Sequence, residues 1–382
     1  MVAIHELGSS AIRPAFTEPI AGTPERPGQL GTDISIPFGN EYLALIRYKE
    51  HPLADAVGQI LQAHVGNGYA GRFAKGRYAE ERILVTPSLE QIRAGKTIFA
   101  FSPRKPNDLD SYYAMLDAIT AVPVEDTTPG HVYAVLPYFS HSRQERREIV
   151  GAPARATLMA NIMRLAGNRR LNGILTVDVH QPRPFEDIDI PFYNLDPWHV
   201  LQPALERRLR KMGVESNDVV FVSPDKGGEP RATAYAQRLG ARGLVIFDKT
   251  RGDFTQTGVS HIVSERGNVD MVEGAHAVIV DDLIAGGGTA INAANKLLDD
   301  HKAASVTLVA THGTFASKEA IAALQASRIS RIIITDTVKP PKGVFGHKSK
   351  FTVVSAAPLL AEAMTRMTEG ISLTDLLVPK AA

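Results

Sequence analysis

Residues 278–290 read VIVDDLIAGGGTA. The β-branched run Val278–Val280 leads into Asp281 and Asp282. Gly286, Gly287, Gly288 and Thr289 then open onto INAANKLLDDH (291–301), whose apolar spacing is helical. The pattern is a strand that ends in a glycine turn at the mouth of a helix. Glycines let backbone N–H groups turn toward a ligand, and the helix adds the positive end of its dipole. Together they form an anion site, most often for phosphate.

The two carboxylates cannot serve an anion, because like charges repel. They suit sugar hydroxyls or a metal ion next to it, and a phosphate beside a diol describes a ribose 5-phosphate. The same residues also fit a tight strand-to-helix turn with solvated acids, and the run by itself leaves both readings open.

At 382 residues the chain exceeds one ordinary core, so two α/β domains are expected. Hydrophobic residues make up 44% and charged residues 22%, as in globular proteins. The net charge of +1 gives no global basic field for nucleic acid or anionic lipid. With no cysteine, disulfides, thiolate metal sites and a cysteine nucleophile are excluded, which fits a cytoplasmic location. The first 38 residues are polar and rich in Pro and Gly, with no apolar secretory core, and are expected to form a loosely held extension. No apolar run approaches the length of a membrane span.

From about Asn40 the chain alternates. TIFAFS (97–102), HVYAVLPYF (131–139) and GILTVDVH (173–180) read as buried strands, with helical patterns between them. DPWHVLQPALERRLRKMG (196–213) restarts the pattern as a helix stopped by Gly213, which sets a boundary near residue 196. Strands DVVFVSPD, GLVIFDK, AVIVDD, SVTLVATHG and RIIITDT follow, each with the near-continuous apolar run of a parallel sheet covered by helices.

Ligands in such sheets sit at the carboxyl ends of strands. Besides the opening stretch, three polar clusters fall there: VDVHQPRPFEDIDIP (177–191), SPDKGGEPR (223–231) and FDKTR (247–251). Lys249 and Arg251 enter the loop GDFTQTGVSHIVSERG, where two cations can fold over a triphosphate; a solvated DKTR turn is the plainer alternative. His180, two residues after Asp178, can meet a metal or a phosphate, though a lone His is more often structural. Gly227 and Gly228 after Asp225 permit close backbone approach. Arg143 and Gln144 lie in the charge run RQERRE, an exposed turn or a phosphate contact.

VIVDDLIAGGGTA resembles the phosphoribosyl-binding motif of type I phosphoribosyltransferases and of ribose-phosphate diphosphokinases. VLPYFSHSRQERRE, TVDVHQPRPFEDIDIPFYNL, VVFVSPDKGGEPRATAYAQRLG, VIFDKTRG and VSAAPLLAEAMTRM are similar to diphosphokinase segments and follow in the same order. The resemblance runs from about residue 40 to the end. It implies an α/β fold of two type I phosphoribosyltransferase-like domains, each a mainly parallel sheet flanked by helices. Residues 39–196 would be the ATP-side domain with oligomer contacts, 197–350 the domain with the ribose-5-phosphate loop, and 351–382 a strand and helix packing back on the first domain.

The implied reaction joins the β-phosphorus of ATP to the 1-hydroxyl of ribose 5-phosphate, giving phosphoribosyl pyrophosphate (PRPP) and AMP. Carried over residue by residue, Lys249 and Arg251 are catalytic. Phe73, Arg143, Gln144 and His180 bind ATP. Asp281 and Asp282 hold the ribose hydroxyls, and Ala285, Gly286, Gly287, Gly288 and Thr289 hold the 5-phosphate. His180 and Asp225 lie on the cofactor, Mg²⁺. The partners are ATP and ribose 5-phosphate, with no nucleic acid and no membrane, in a dimer-based homo-oligomer of hexameric type. A non-catalytic regulatory homologue and a transferase with another nucleotide donor or acceptor are the alternatives.

The sequence departs from the family pattern in three places. AGGGT stands where diphosphokinases usually read DTAGT, which removes an Asp and a Thr from the phosphate loop. GRFAKGRYAEE (71–81) keeps Phe73 but puts Lys75 and Arg77 where the related adenine-holding loop has acids. Carboxylates accept from an adenine amino group, whereas Lys and Arg only donate. IVGAPARATL (149–158) replaces a polar stretch that binds phosphate and ADP in allosterically controlled members. Inorganic phosphate titrated into a rate assay is therefore expected to activate weakly or not at all.

Overall fold

The computed structural model describes residues 43–47, 51–67, 97–102, 109–121, 131–144, 153–167, 171–186, 188–250 and 261–379. Residues 1–38, Phe73, Lys75, Arg77, Arg251 and the 149–151 segment lie outside them. The chain divides into two compact units. One holds the described residues up to Pro197 together with Ala356–Pro379; the other is Trp198–Ser355.

The first unit is built on β1 (Leu43–Arg47), β2 (His64–Asn67), β3 (Thr97–Phe101), β4 (Val132–Leu136), β5 (Leu171–Val177) and β6 (Phe192–Leu195). These strands pair in the order β2-β1-β3-β4-β5-β6, every pair parallel. β3 and β4 are buried along their whole length, as expected of strands covered on both faces. Helices α1 (Pro52–Ile60), α2 (Leu109–Ala121) and α3 (Arg155–Gly167) supply the covering side chains. Buried His51 caps α1: its Nδ1 accepts from Ala54 N at 3.0 Å, so Nε2 is the donor to Ser102 O, also at 3.0 Å. Where β4, β5 and β6 come together, Phe185 stacks on Phe192 with ring centroids 4.0 Å apart and meets Phe139 edge-on at 4.5 Å.

The second unit opens with α4 (Trp198–Met212), which Gly213 ends at φ 68°. Trp198 is buried and stacks on Tyr235 at 4.0 Å. Its strands are β7 (Val219–Ser223), β8 (Gly243–Thr250), β9 (His261–Gly267), β10 (His276–Ile284), β11 (Ser305–Gly313), β12 (Arg331–Thr335) and β13 (Phe351–Val354). They pair in the order β13-β12-β11-β10-β7-β8-β9, parallel throughout except for the β8–β9 hairpin. Helices α5 (Glu229–Leu239), α6 (Gly288–Asp299) and α7 (Lys318–Ala326) connect them. Strand order reverses between β7 and β10: β8 continues to one side of β7, and β11, β12 and β13 to the other. The last helix, α8 (Ala357–Glu369), packs against α1 of the first unit.

Two expectations change. The segment HIVSERG reads as part of a loop, yet it forms β9, antiparallel to β8, because its β-branched residues find a free sheet edge. The tail expected to pack back from residue 351 divides instead: β13 pairs with β12 inside the second unit, and only residues from Ala356 onward belong to the first. The FTVV run is satisfied by a parallel ladder next to Ile332–Thr335, where its amides and carbonyls have partners.

Candidate active site

In the second unit β10 is held on both sides, by β7 and by β11, and its ladder with β11 extends to Leu283↔His312 and Ile284↔Gly313. A strand so held delivers its last residues at fixed positions. Asp281 is half-buried and Asp282 buried, and Asp282 N donates to Asp281 Oδ1 at 2.9 Å. Burial pushes the Asp281 carboxyl well above the usual carboxylate range. The neighbouring Asp282 and then Asp225 push it the same way, and Arg231 opposes them. Three carboxylates thus crowd one place.

The glycine turn follows. The carbonyl of Ile284 accepts from the amides of Thr314 and Phe315 at 3.1 and 3.0 Å, and that of Ala285 from Ala316 at 3.0 Å. Thr314 Oγ1 adds a bond to Ile284 O at 3.0 Å. The loop's carbonyls are therefore tied back to the end of β11, while the first amides of α6 have no acceptor within the helix. Gly287 is the N-cap at φ 77°, and a Cβ there would lie 2.8 Å from Leu324, so this position needs glycine. Around Gly286 and Gly288, a Cβ would meet no atom within 4 Å. The turn is an open cradle at a helix N-terminus, the arrangement that receives an anion.

Beside it, β7 ends in the loop that carries Asp225. Asp225 Oδ1 caps the following turn, accepting from Gly228 N at 3.1 Å, and Ser223 Oγ donates to Asp225 O at 2.6 Å. A Cβ on Gly228 would sit 2.7 Å from Ser223 Oγ, which explains the second glycine of DKGG. On the far side of β7, Lys249 is placed by the backbone near the carboxyl end of β8. Asp225 therefore stands between the β10 acids and the Lys249 strand, at the reversal of strand order where ligands bind in open sheets.

In the first unit, Arg143 and Gln144 are exposed in the turn after β4, and half-buried His180 follows β5, the neighbouring strand. The turn is fixed by Gln144 N donating to His141 O at 2.8 Å, with His141 at φ 64°. The Asp178 backbone, at φ 47°, is held by its amide on Leu195 O at 3.1 Å, and Val179 N donates to Asn194 Oδ1 at 2.9 Å. Among the expected site residues the structure thus gathers Asp225, Asp281, Asp282, the 285–289 loop and the Lys249 backbone in the second unit. Arg143, Gln144 and His180 share the sheet edge of the first.

Among the described residues no cluster of three or more His, Asp or Glu could enclose a metal by itself. Asp225, beside the Asp281–Asp282 pair, nonetheless fits a hard divalent cation that takes few protein oxygens and completes its shell with phosphate and water. Arg231 was not singled out from the sequence. Its signal, a cation six residues after Asp225 on α5, becomes readable only once α5 brings it near Asp281.

Residues 203–338, which hold the glycine turn and both acids, match the phosphoribosyl transferase domain, so the second unit carries a domain of that class. The chain is 35% identical to the ribose-phosphate pyrophosphokinase of Agrobacterium fabrum over 85% of its own length and 96% of that protein's. It is 33% identical to that of Mesorhizobium japonicum over the same shares. The crystal structure of phosphoribosylpyrophosphate synthetase from Mycobacterium smegmatis matches with a TM-score of 0.69 and 27% identity, covering 86% of this chain and 99% of that one. The chain belongs to the ribose-phosphate pyrophosphokinase family.

Two predictions follow from the geometry. Gly286→Thr places a hydroxyl in open space beside the cradle; the KM for ribose 5-phosphate is expected to fall about threefold, the value of one modest hydrogen bond, with an unchanged melting temperature. Because folding raises the Asp281 pKa, the stability this group contributes is full below its unfolded value and lost as pH rises through the raised one. Asp281→Asn is therefore expected to raise the melting temperature of metal-free protein at pH 7, with the gain shrinking toward pH 4. Calorimetry at the two pH values measures it.

Proposed function

We propose that this chain transfers the pyrophosphoryl group of ATP to the 1-hydroxyl of ribose 5-phosphate, releasing AMP and PRPP, a precursor for nucleotide biosynthesis. The observation that carries the reading is the carboxyl edge of β10, where an acid pair runs directly into an open glycine cradle at a helix N-terminus. In a chain of this family, that pairing matches a sugar phosphate: the 285–289 backbone takes the 5-phosphate and Asp281 and Asp282 take the ribose hydroxyls.

Phosphoryl transfer of this kind asks the protein for position and charge more than for covalent chemistry. In the proposed arrangement Lys249 and Arg251 are the catalytic cations that stabilise charge on the transferring group. Arg143 and Gln144 hold the ATP phosphates, and Phe73 stacks on the base. Lys75 and Arg77 leave adenine to be read through other acceptors than carboxylates. Mg²⁺, with His180 and Asp225 as its proposed protein ligands, supplies charge neutralisation on the phosphate oxygens. Residues 39–196 serve ATP and residues 197–350 serve ribose 5-phosphate in this scheme. Family membership supports a dimer-based homo-oligomer, of hexameric type, in the cytoplasm. Among the described residues no helix is long and apolar enough to cross a membrane.

Phosphorus NMR of the purified protein with ribose 5-phosphate, ATP and Mg²⁺ tests the reading. AMP and PRPP are expected to appear together, and Lys249→Ala to slow them by about a hundredfold, the usual cost of removing one charge-stabilising donor. Binding of both substrates with no AMP formed would overturn it.

A further inference from the structure

The β8–β9 hairpin that carries Lys249 departs from regular pairing at one place. Its register shifts between Asp248 and Lys249. Below the shift the two strands run in register, with Asp248 opposite Ser264 and Ile246 opposite Arg266. Asp248 Oδ2 accepts from Ser264 Oγ at 3.0 Å across the pair and lies 3.4 Å from Lys226 Nζ. Two residue pairs further down, Arg266 makes a two-pronged contact with Glu229, the first residue of α5, with its Nη1 3.0 Å from Oε1.

These contacts join two segments that matter to the reaction. Lys226 directly follows Asp225, and Asp248 directly precedes Lys249. Asp248 is thus the point at which the Lys249 strand meets both its hairpin partner and the Asp225 loop. The ion pair with Lys226 adds little to stability. Lys226 is 71% exposed, so the ion pair is screened, and Asp248 Oδ1 is buried with no hydrogen-bond partner among the described residues. A buried, unsatisfied carboxylate oxygen is a cost to stability. It is tolerated where a side chain is required for something other than folding.

We propose that Asp248 is a positioning residue for the phosphoryl-transfer step: by bonding Ser264 it locks the hairpin register before the shift and so fixes where β8 presents the backbone of Lys249. The shift leaves the extra residue, Val263, on β9, so the placement of Lys249 opposite Ile262 is only as exact as the Asp248–Ser264 pair before it. The inference rests on Lys249 acting as proposed above, and it predicts that the acceptor matters and the charge does not. Asn at 248 can still accept from Ser264; Ala cannot.

The test compares Asp248→Ala, Asp248→Asn and Ser264→Ala in the full-length protein. Asp248→Ala and Ser264→Ala are expected to lower kcat about tenfold, a misplacement effect, with the KM for ribose 5-phosphate unchanged and, in Asp248→Ala, the melting temperature unchanged or raised. Asp248→Asn is expected to restore kcat to within about threefold of the parent. In a Lys249→Ala background, Asp248→Ala is expected to cost nothing more, since it acts through Lys249. Hydrogen exchange reads the lock directly: amides of β8 and β9 should lose protection in Asp248→Ala and keep it in Asp248→Asn. Unchanged protection in Asp248→Ala would overturn the proposal even in a protein that made no PRPP. Full additivity with Lys249→Ala would overturn it in one that did.

Discussion

The central ladder of β10 is the constraint on which the second unit depends. It is hydrogen-bonded to β7 on one side and β11 on the other. Because β11 runs alongside it up to Ile284↔Gly313, the chain leaving β11 can also bind the carbonyls of Ile284 and Ala285. The glycine turn is thereby fixed with its carbonyls engaged, and the opening amides of α6 are left for a ligand. Without the ladder, two acids and three glycines would be a mobile, solvated turn.

That placement has an electrostatic consequence. Asp281, Asp282 and Asp225 are brought close in a half-buried position, and Asp281 is held above the normal carboxylate range as a result. Crowding of this kind opposes folding at neutral pH and favours cationic or hydroxyl-bearing ligands, which are the partners the reaction requires. Arg231 offsets part of the charge from α5. The same economy operates on the other side of β7, where Lys226 and Asp248 link the loop of Asp225 to the strand of Lys249.

Both units use mainly parallel sheets whose central strands are buried, yet they present different chemistry at their carboxyl edges. The first offers an arginine, a glutamine and a histidine on the turns after β4 and β5. The second offers acids and a backbone cradle. A nucleoside triphosphate needs cations and a planar partner, whereas a sugar phosphate needs hydroxyl acceptors and amide donors. One architecture thus presents two different sets of polar groups through loop composition alone, and the proposed division of ATP and ribose 5-phosphate between the units rests on that difference.

The sequence by itself determined the α/β class, through near-continuous apolar runs such as Val219–Val222 and Val278–Val280. It also made the 278–290 stretch legible as a candidate anion site, because strand, acids, glycines and helix are consecutive there and local chemistry suffices to read them. It did not reveal that HIVSERG is a strand, since a sheet edge to pair with is not a local property. Nor did it reveal that Phe351–Val354 pairs with β12, or that Arg231 and Asp225 approach Asp281. Those relations were decided by tertiary structure. Register and charge proximity arise from hydrogen bonds and Coulomb forces between residues far apart in the chain, and only the packed sheet brings them within range of one another.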